Sequence, residues 1–133
     1  MAFTNIVRRI VTIADESEAN IPVIEGIRTD DLPTPCINVF IDNAVEHHPQ
    51  LTDVFVVNIT VRYEEHYGDA TGDEVNENFK RILDQFVVDE LVEKLNVSGI
   101  HVFKASVTDI MQEVENDLFL NQFNISLIME RDL

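Results

Sequence analysis

Apolar residues recur along this chain with two different periods, and each change of period marks a new element. Near the N-terminus Phe3, Ile6, Val7, Ile10 and Val11 follow at intervals of three and four, the spacing of one helical face. Asp15, Glu16 and Glu18 come next. Carboxylates at a helix C-terminus oppose the macrodipole, so this short amphipathic helix is expected to end there. Over residues 20–35, Pro22, Gly26, Pro33 and Pro35 break any regular pattern, and the segment reads as irregular. Ile21, Val23, Ile24 and Ile27 are nevertheless apolar enough to lie against a core.

Alternation takes over at Cys36 and predicts four strands. Over 36–41, Ile37, Val39 and Ile41 oppose Cys36, Asn38 and Phe40. Over about 53–65, Phe55, Val57, Ile59, Val61 and Tyr63 face one way, and Asn58, Thr60, Arg62 and Glu64 the other. A shorter strand is expected over about 99–107. The last, over 118–130, sets Phe119, Phe123, Ile125, Leu127 and Met129 against Gln122, Asn124, Ser126 and Glu130.

A main helix is expected between the second and third strands. Thr71 and Glu74 have the spacing of a capping box, and Val75, Phe79, Ile82, Leu83, Phe86, Leu91 and Leu95 form its apolar stripe. Lys94 suits its last turn and Gly99 its exit, while the β-branched pair after Phe86, Val87-Val88, predicts a kink. The expected fold is a single α+β domain over residues 1–133. It has a mostly antiparallel four-stranded sheet packed against the main helix, an N-terminal amphipathic helix and an extended hairpin. Val57, Ile59, Val61, Phe79, Ile82, Phe123, Ile125 and Leu127 are its expected core.

Charge changes the picture. In 133 residues, 25 Asp and Glu stand against 9 Lys and Arg, a formal net charge of −16. Charge-driven binding to nucleic acid or to an anionic membrane needs positive potential, so neither is expected. The longest uncharged stretch, Leu118–Met129, holds Asn121, Gln122, Asn124 and Ser126, and falls short of the roughly 20 apolar residues of a spanning helix. Arg8 and Arg9 interrupt the N-terminal apolar residues, unlike a secretory signal. A soluble protein of a reducing cytoplasm is the expectation. Cys36, the single cysteine, excludes an internal disulfide and a cysteine-rich zinc site.

The candidate chemistry is sparse. Adjacent His47 and His48 read as a polar turn ending at Pro49 rather than a metal site. His66 among Glu64, Glu65 and Asp69 has the makings of a carboxylate–histidine cluster, but the exit of a strand toward Gly68 is also where solvated charge belongs. Residues 69–80 fail as a calcium loop, because Glu74 and Lys80 stand where glycine and glutamate are required. Cys36 reads as a small buried hydrophobe. No catalytic residue, cofactor or metal is expected.

Two other features point to contact. Asn58 and Thr60 on one strand, with Gln122, Asn124 and Ser126 on another, form an uncharged polar face in a very acidic chain. It is either a wet face with favourable cross-strand pairs or one covered by another subunit. The connection from Thr108 to Asp117 exceeds the 2–5 residues a plain hairpin needs. It carries Asp109, Glu113, Glu115 and Asp117, and exposes Ile110, Met111 and Val114. Those three apolar residues and the five polar ones are the candidate subunit interface.

This layout resembles the tail terminator (tail completion) proteins of long-tailed bacteriophages. The resemblance rests on the N-terminal helix, the strand introduced by Pro33-Thr-Pro-Cys, the longer alternating strand Val54–Glu64, the turn at Gly68-Asp69, the helix Asp73–Leu95 and two closing strands with an extended hairpin. It implies a non-enzymatic subunit of a ring, usually a hexamer, in the tail or neck of a virion assembled in the host cytoplasm. The implied partners are further copies of itself, the tail tube protein, the head–tail connector protein, and DNA passing through without sequence-specific binding; no membrane is implied. An acidic lining repels phosphates, which makes Asp109, Glu113, Glu115 and Asp117 the pore-facing candidates, followed by Glu64, Glu65 and Asp69. Two rivals stand beside this reading. One is an acidic inhibitor that mimics DNA and blocks a nucleic-acid-binding protein; the other is a small enzyme built on Glu64, Glu65, His66 and Asp69.

Overall fold

The N-terminal stripe folds as its spacing predicts. In the computed structural model, α1 (Thr4–Asp15) buries Ile6, Val7, Ile10, Ile13 and Ala14 on one face. It closes where Glu16 N–H reaches the Thr12 and Ile13 carbonyls. The structure describes residues 3–17, 19–27, 34–48, 51–66, 68, 71–97, 99–115 and 117–130. Asp69 and the side chains of His47 and His48 lie outside the described residues.

The sheet departs from expectation. It has five strands in the order β1-β2-β3-β5-β4, formed by β1 (Val23–Glu25), β2 (Cys36–His48), β3 (Leu51–His66), β4 (Val102–Glu115) and β5 (Leu118–Glu130). The pairs β2–β3, β3–β5 and β4–β5 are antiparallel, but β1 runs parallel to β2. Among the described residues, the expected mostly antiparallel four-stranded sheet against one main helix is therefore replaced by a mixed five-stranded sheet with three helices. The added strand has only three residues, too few to display alternation. Backbone pairing alone makes it a strand: Ile37 N donates to Pro22 O at 2.8 Å and Gly26 N to Val39 O at 2.7 Å. Gly26 ends it at φ +103°, a conformation costly for any residue with a Cβ.

The main helix divides in two. α2 (Gly72–Asp84) starts at the expected cap, with Thr71 Oγ1 accepting from Glu74 N. It stops before Phe86-Val87-Val88, and α3 (Leu91–Leu95) follows a run of turns. The expected kink is a full break. The β-branched pair resists helical rotamers, and turning the chain keeps Phe86, Leu91 and Leu95 all buried in the core. Lys94 Nζ donates to Gln85 O at 2.6 Å, so a cation from α3 satisfies a carbonyl freed at the end of α2.

The connection expected over 108–117 is also strand. β4 continues to Glu115 against β5, and Asp117 turns the chain with φ +62°. A bulge between Thr108 and Met111, with Asp109 at φ +54°, breaks the alternation there. Exposure of 109–115 hides the rest of the pattern. Beneath the sheet all eight residues expected in the core are buried, joined by the apolar faces of the three helices in one cluster.

Candidate functional site

The sheet has two unlike faces. The helices cover the side carrying Val57, Ile59, Val61 and Tyr63. On the opposite side, register sets Asn58 across from Ser126, Thr60 from Asn124 and Arg62 from Gln122, so the expected polar face exists as one patch. Its side chains pair with one another. Asn58 Nδ2 donates to Asn43 Oδ1 at 2.8 Å, Thr60 Oγ1 to Asn124 Oδ1 at 2.9 Å and Arg62 Nε to Gln122 Oε1 at 2.9 Å. The Arg62 guanidinium also lies over the Phe40 ring, 5.1 Å from its centre. These cross-strand bonds supply a reason for an amide at Asn58 and a hydroxyl at Thr60, which donate in them: a carboxylate can only accept, and would break either bond. Thr60 is already 3% exposed, so a charge placed there is desolvated within the chain itself.

The β4–β5 hairpin sorts its acidic and apolar residues by face. Met111, Glu113 and Glu115 pair with Gln122, Leu120 and Leu118, and so share the polar side of the sheet. Asp109 joins them from the bulge, its Oδ2 accepting from Asn124 Nδ2 at 3.3 Å. Val114 sits opposite Phe119 on the helix side, and Ile110 borders a groove between β4 and the helices. Ile110, Met111 and Val114 are 55%, 39% and 56% exposed, a notable apolar presence on a hairpin. Asp117 is exposed at the turn.

Of the carboxylate–histidine group, register puts Glu64 and His66 on the polar side of the sheet and Glu65 on the helix side. Glu64 and Glu65 alternate along β3, each 6% exposed, and His66 is exposed. Glu64 Oε2 lies 4.0 Å from Cys36 Sγ on the polar side. Glu65 Oε1, on the helix side, accepts from Tyr63 Oη at 3.2 Å. Among the described residues, no group of three or more His, Cys, Asp or Glu is placed to hold a metal ion.

Sequence reasoning missed two polar links between sheet and α2. Asn78 Nδ2 donates to Tyr63 Oη at 3.2 Å, and Gln112 Nε2 donates both to Asn76 Oδ1 at 3.0 Å and to Asn121 Oδ1 at 2.9 Å. Burial, with the nearby Glu65 carboxylate adding to it, pushes the Tyr63 phenol up to about 12. No sequence signal marks such pairs, because each partner comes from a different element.

No protein-family model matches the chain, and no curated protein does. A solved structure does. A chain in the virion of a native gene transfer agent particle superimposes with a TM-score of 0.52, covering 97% of this chain and 92% of that one. The two chains share a fold. Their sequences are 13% identical, so the likeness extends to architecture and not to individual side chains. Among the described residues no helix is long and apolar enough to cross a membrane.

Proposed function

We propose that this protein is a non-enzymatic structural subunit of a virion, and specifically a tail terminator. In this reading it assembles as a ring that closes the tail tube, joins it to the head–tail connector and lets DNA through. The observation that carries the reading is the shared fold with a chain of a virion particle, extending over nearly the full length of both. The charge supports it. With a net charge of −16 and Asp109, Glu113 and Glu115 on one face of the sheet, a ring turning that face inward repels phosphates and lets a duplex slide. In the ladder beside them the Arg62 guanidinium is already bonded to Gln122 and lies over Phe40.

Size-exclusion chromatography with light scattering, followed by electron microscopy of tail tubes assembled with and without the protein, tests this. The expected result is a closed oligomer, free or seated on the tube end, and tubes that stop growing when it is added. A chain that stays monomeric, leaves tubes uncapped and instead binds a basic nucleic-acid-binding protein would establish the DNA-mimic alternative.

A further inference from the structure

We infer that the two flanks of the sheet are the two halves of one head-to-tail contact, the β4 flank of one copy receiving the α1–β1 flank of the next. This rests on the ring reading above and names the surfaces that close the ring. On the first flank β4, 14 residues long, is an edge strand, and such an edge offers its outward backbone groups to a neighbour. Beside it a groove of about 340 Å³ runs between β4, α3 and the 85–90 turns. Val88, Leu91 and Val107 line it, and Val87 and Ile110 stand at its mouth, 57% and 55% exposed. Asp89, in the groove lining, and Glu90, both exposed, give the turn side of this flank an acidic margin, while Lys104 is exposed on β4.

The other flank is different in kind. β1 pairs with Ile37–Val39 of β2, and among the described residues no strand covers that edge of β2 from Phe40 onward. A second groove of about 260 Å³ lies there, lined in part by Val7, Phe40 and Ile41. Ile27, which follows Gly26 of that lining in the chain, is 61% exposed. Arg8 of α1 is 66% exposed, and its ion pair with Glu25, at 3.5 Å and open to solvent, is of the weak surface kind.

β1 and β4 are opposite edges of one sheet, so the two flanks cannot meet within a chain but can meet between copies. Charge selects a second copy presented by its other flank. Copies that each carry −16 repel one another, so a contact between them needs cations in it. Joining two β4 flanks would set Asp89 and Glu90 against themselves, whereas the α1–β1 flank brings apolar Ile27 and Arg8, whose solvent-open pair with Glu25 can be exchanged for one with Asp89 or Glu90. Unlike surfaces that repeat around an axis close into a ring. The polar sheet face, left out of this contact, is free to line the channel.

Two variants test the inference. Val87→Asp with Ile110→Asp blocks the groove flank, and Arg8→Glu with Ile27→Asp blocks the other. All four positions are exposed, so circular dichroism and melting of the monomer should match the parent. Each variant alone should lose the parent's oligomer at least tenfold at equal concentration. Mixed one to one they should form a dimer and nothing larger, because each keeps one intact surface. In a second test, the exchange Arg8→Glu with Asp89→Arg should assemble better than either single change. If the parent forms rings and both blocked variants do too, or their mixture stays monomeric, this assignment of surfaces is overturned and the ring reading stands. A parent that neither oligomerises nor caps tubes overturns both.

Discussion

Phe123→Ala tests the packing on which any use of the sheet depends. Phe123 lies at the middle of β5, is 0% exposed, and meets Phe79 of α2 at 6.1 Å and Phe86 of the interhelical turns at 5.4 Å between ring centres. Removing a buried phenyl ring costs about 3–5 kcal/mol, the lost transfer energy plus the cavity left behind. The two tilted ring contacts each add roughly 0.5–1.5 kcal/mol beyond area, which places this site in the upper part of that range. A domain holds only about 5–15 kcal/mol in all, so a third or more of the stability should go. Urea titration followed by circular dichroism measures it as a fall in midpoint with unchanged slope. Phe103, 48% exposed on β4 and in ring contact with His101 at 4.5 Å, is the control; its truncation should cost only about 1 kcal/mol. A loss below about 1 kcal/mol for Phe123→Ala, or one equal to the control, would refute the placement of α2 and the 85–90 turns over this strand.

Other perturbations report on the joints. Tyr63, raised to about 12 from 10 in the fold, stabilises the folded state fully below pH 10, and that contribution is lost as the pH rises through 12. Between pH 10 and 12 the parent should therefore lose up to about 3 kcal/mol that Tyr63→Phe does not lose, and equal slopes of stability against pH would dismiss the buried phenol. Asn96 accepts from Val102 N at 2.6 Å and donates to Val102 O at 2.9 Å, so Asn96→Ala should cost about 1–3 kcal/mol in a denaturation experiment by leaving the start of β4 unpinned. Thr71→Ala removes the α2 cap at about 1 kcal/mol, and Thr71→Ser should restore it in the same melting assay. Oligomer mass at fixed protein concentration should rise as salt is increased from 10 to 150 mM, conditions that shorten the screening length from about 30 to 8 Å; a fall would show that attraction, not repulsion, dominates between copies.

Periodicity by itself determined much of this protein. The helical stripe from Phe3, the strict alternation of Val57 to Tyr63 and of Phe123 to Met129, and the Thr71 cap all report local rules, and the structure obeys each of them. The two polar strand faces were legible for the same reason, since side chains two apart in a strand must share a side. What alternation cannot carry is the identity of a backbone partner. Val23–Glu25 becomes a strand only because β2 lies beside it, and three residues hold no pattern of their own. Residues 109–115 carry a bulge on an exposed edge, so their apolar and acidic members fall out of step even though the backbone remains paired to β5. The break after Asp84 likewise belongs to the core: Phe86, Leu91 and Leu95 are all buried only if the chain turns between them. Local chemistry determined which faces are apolar; tertiary pairing decided which segments became edges, because hydrogen bonds between distant strands depend on backbone position and not on side-chain sequence.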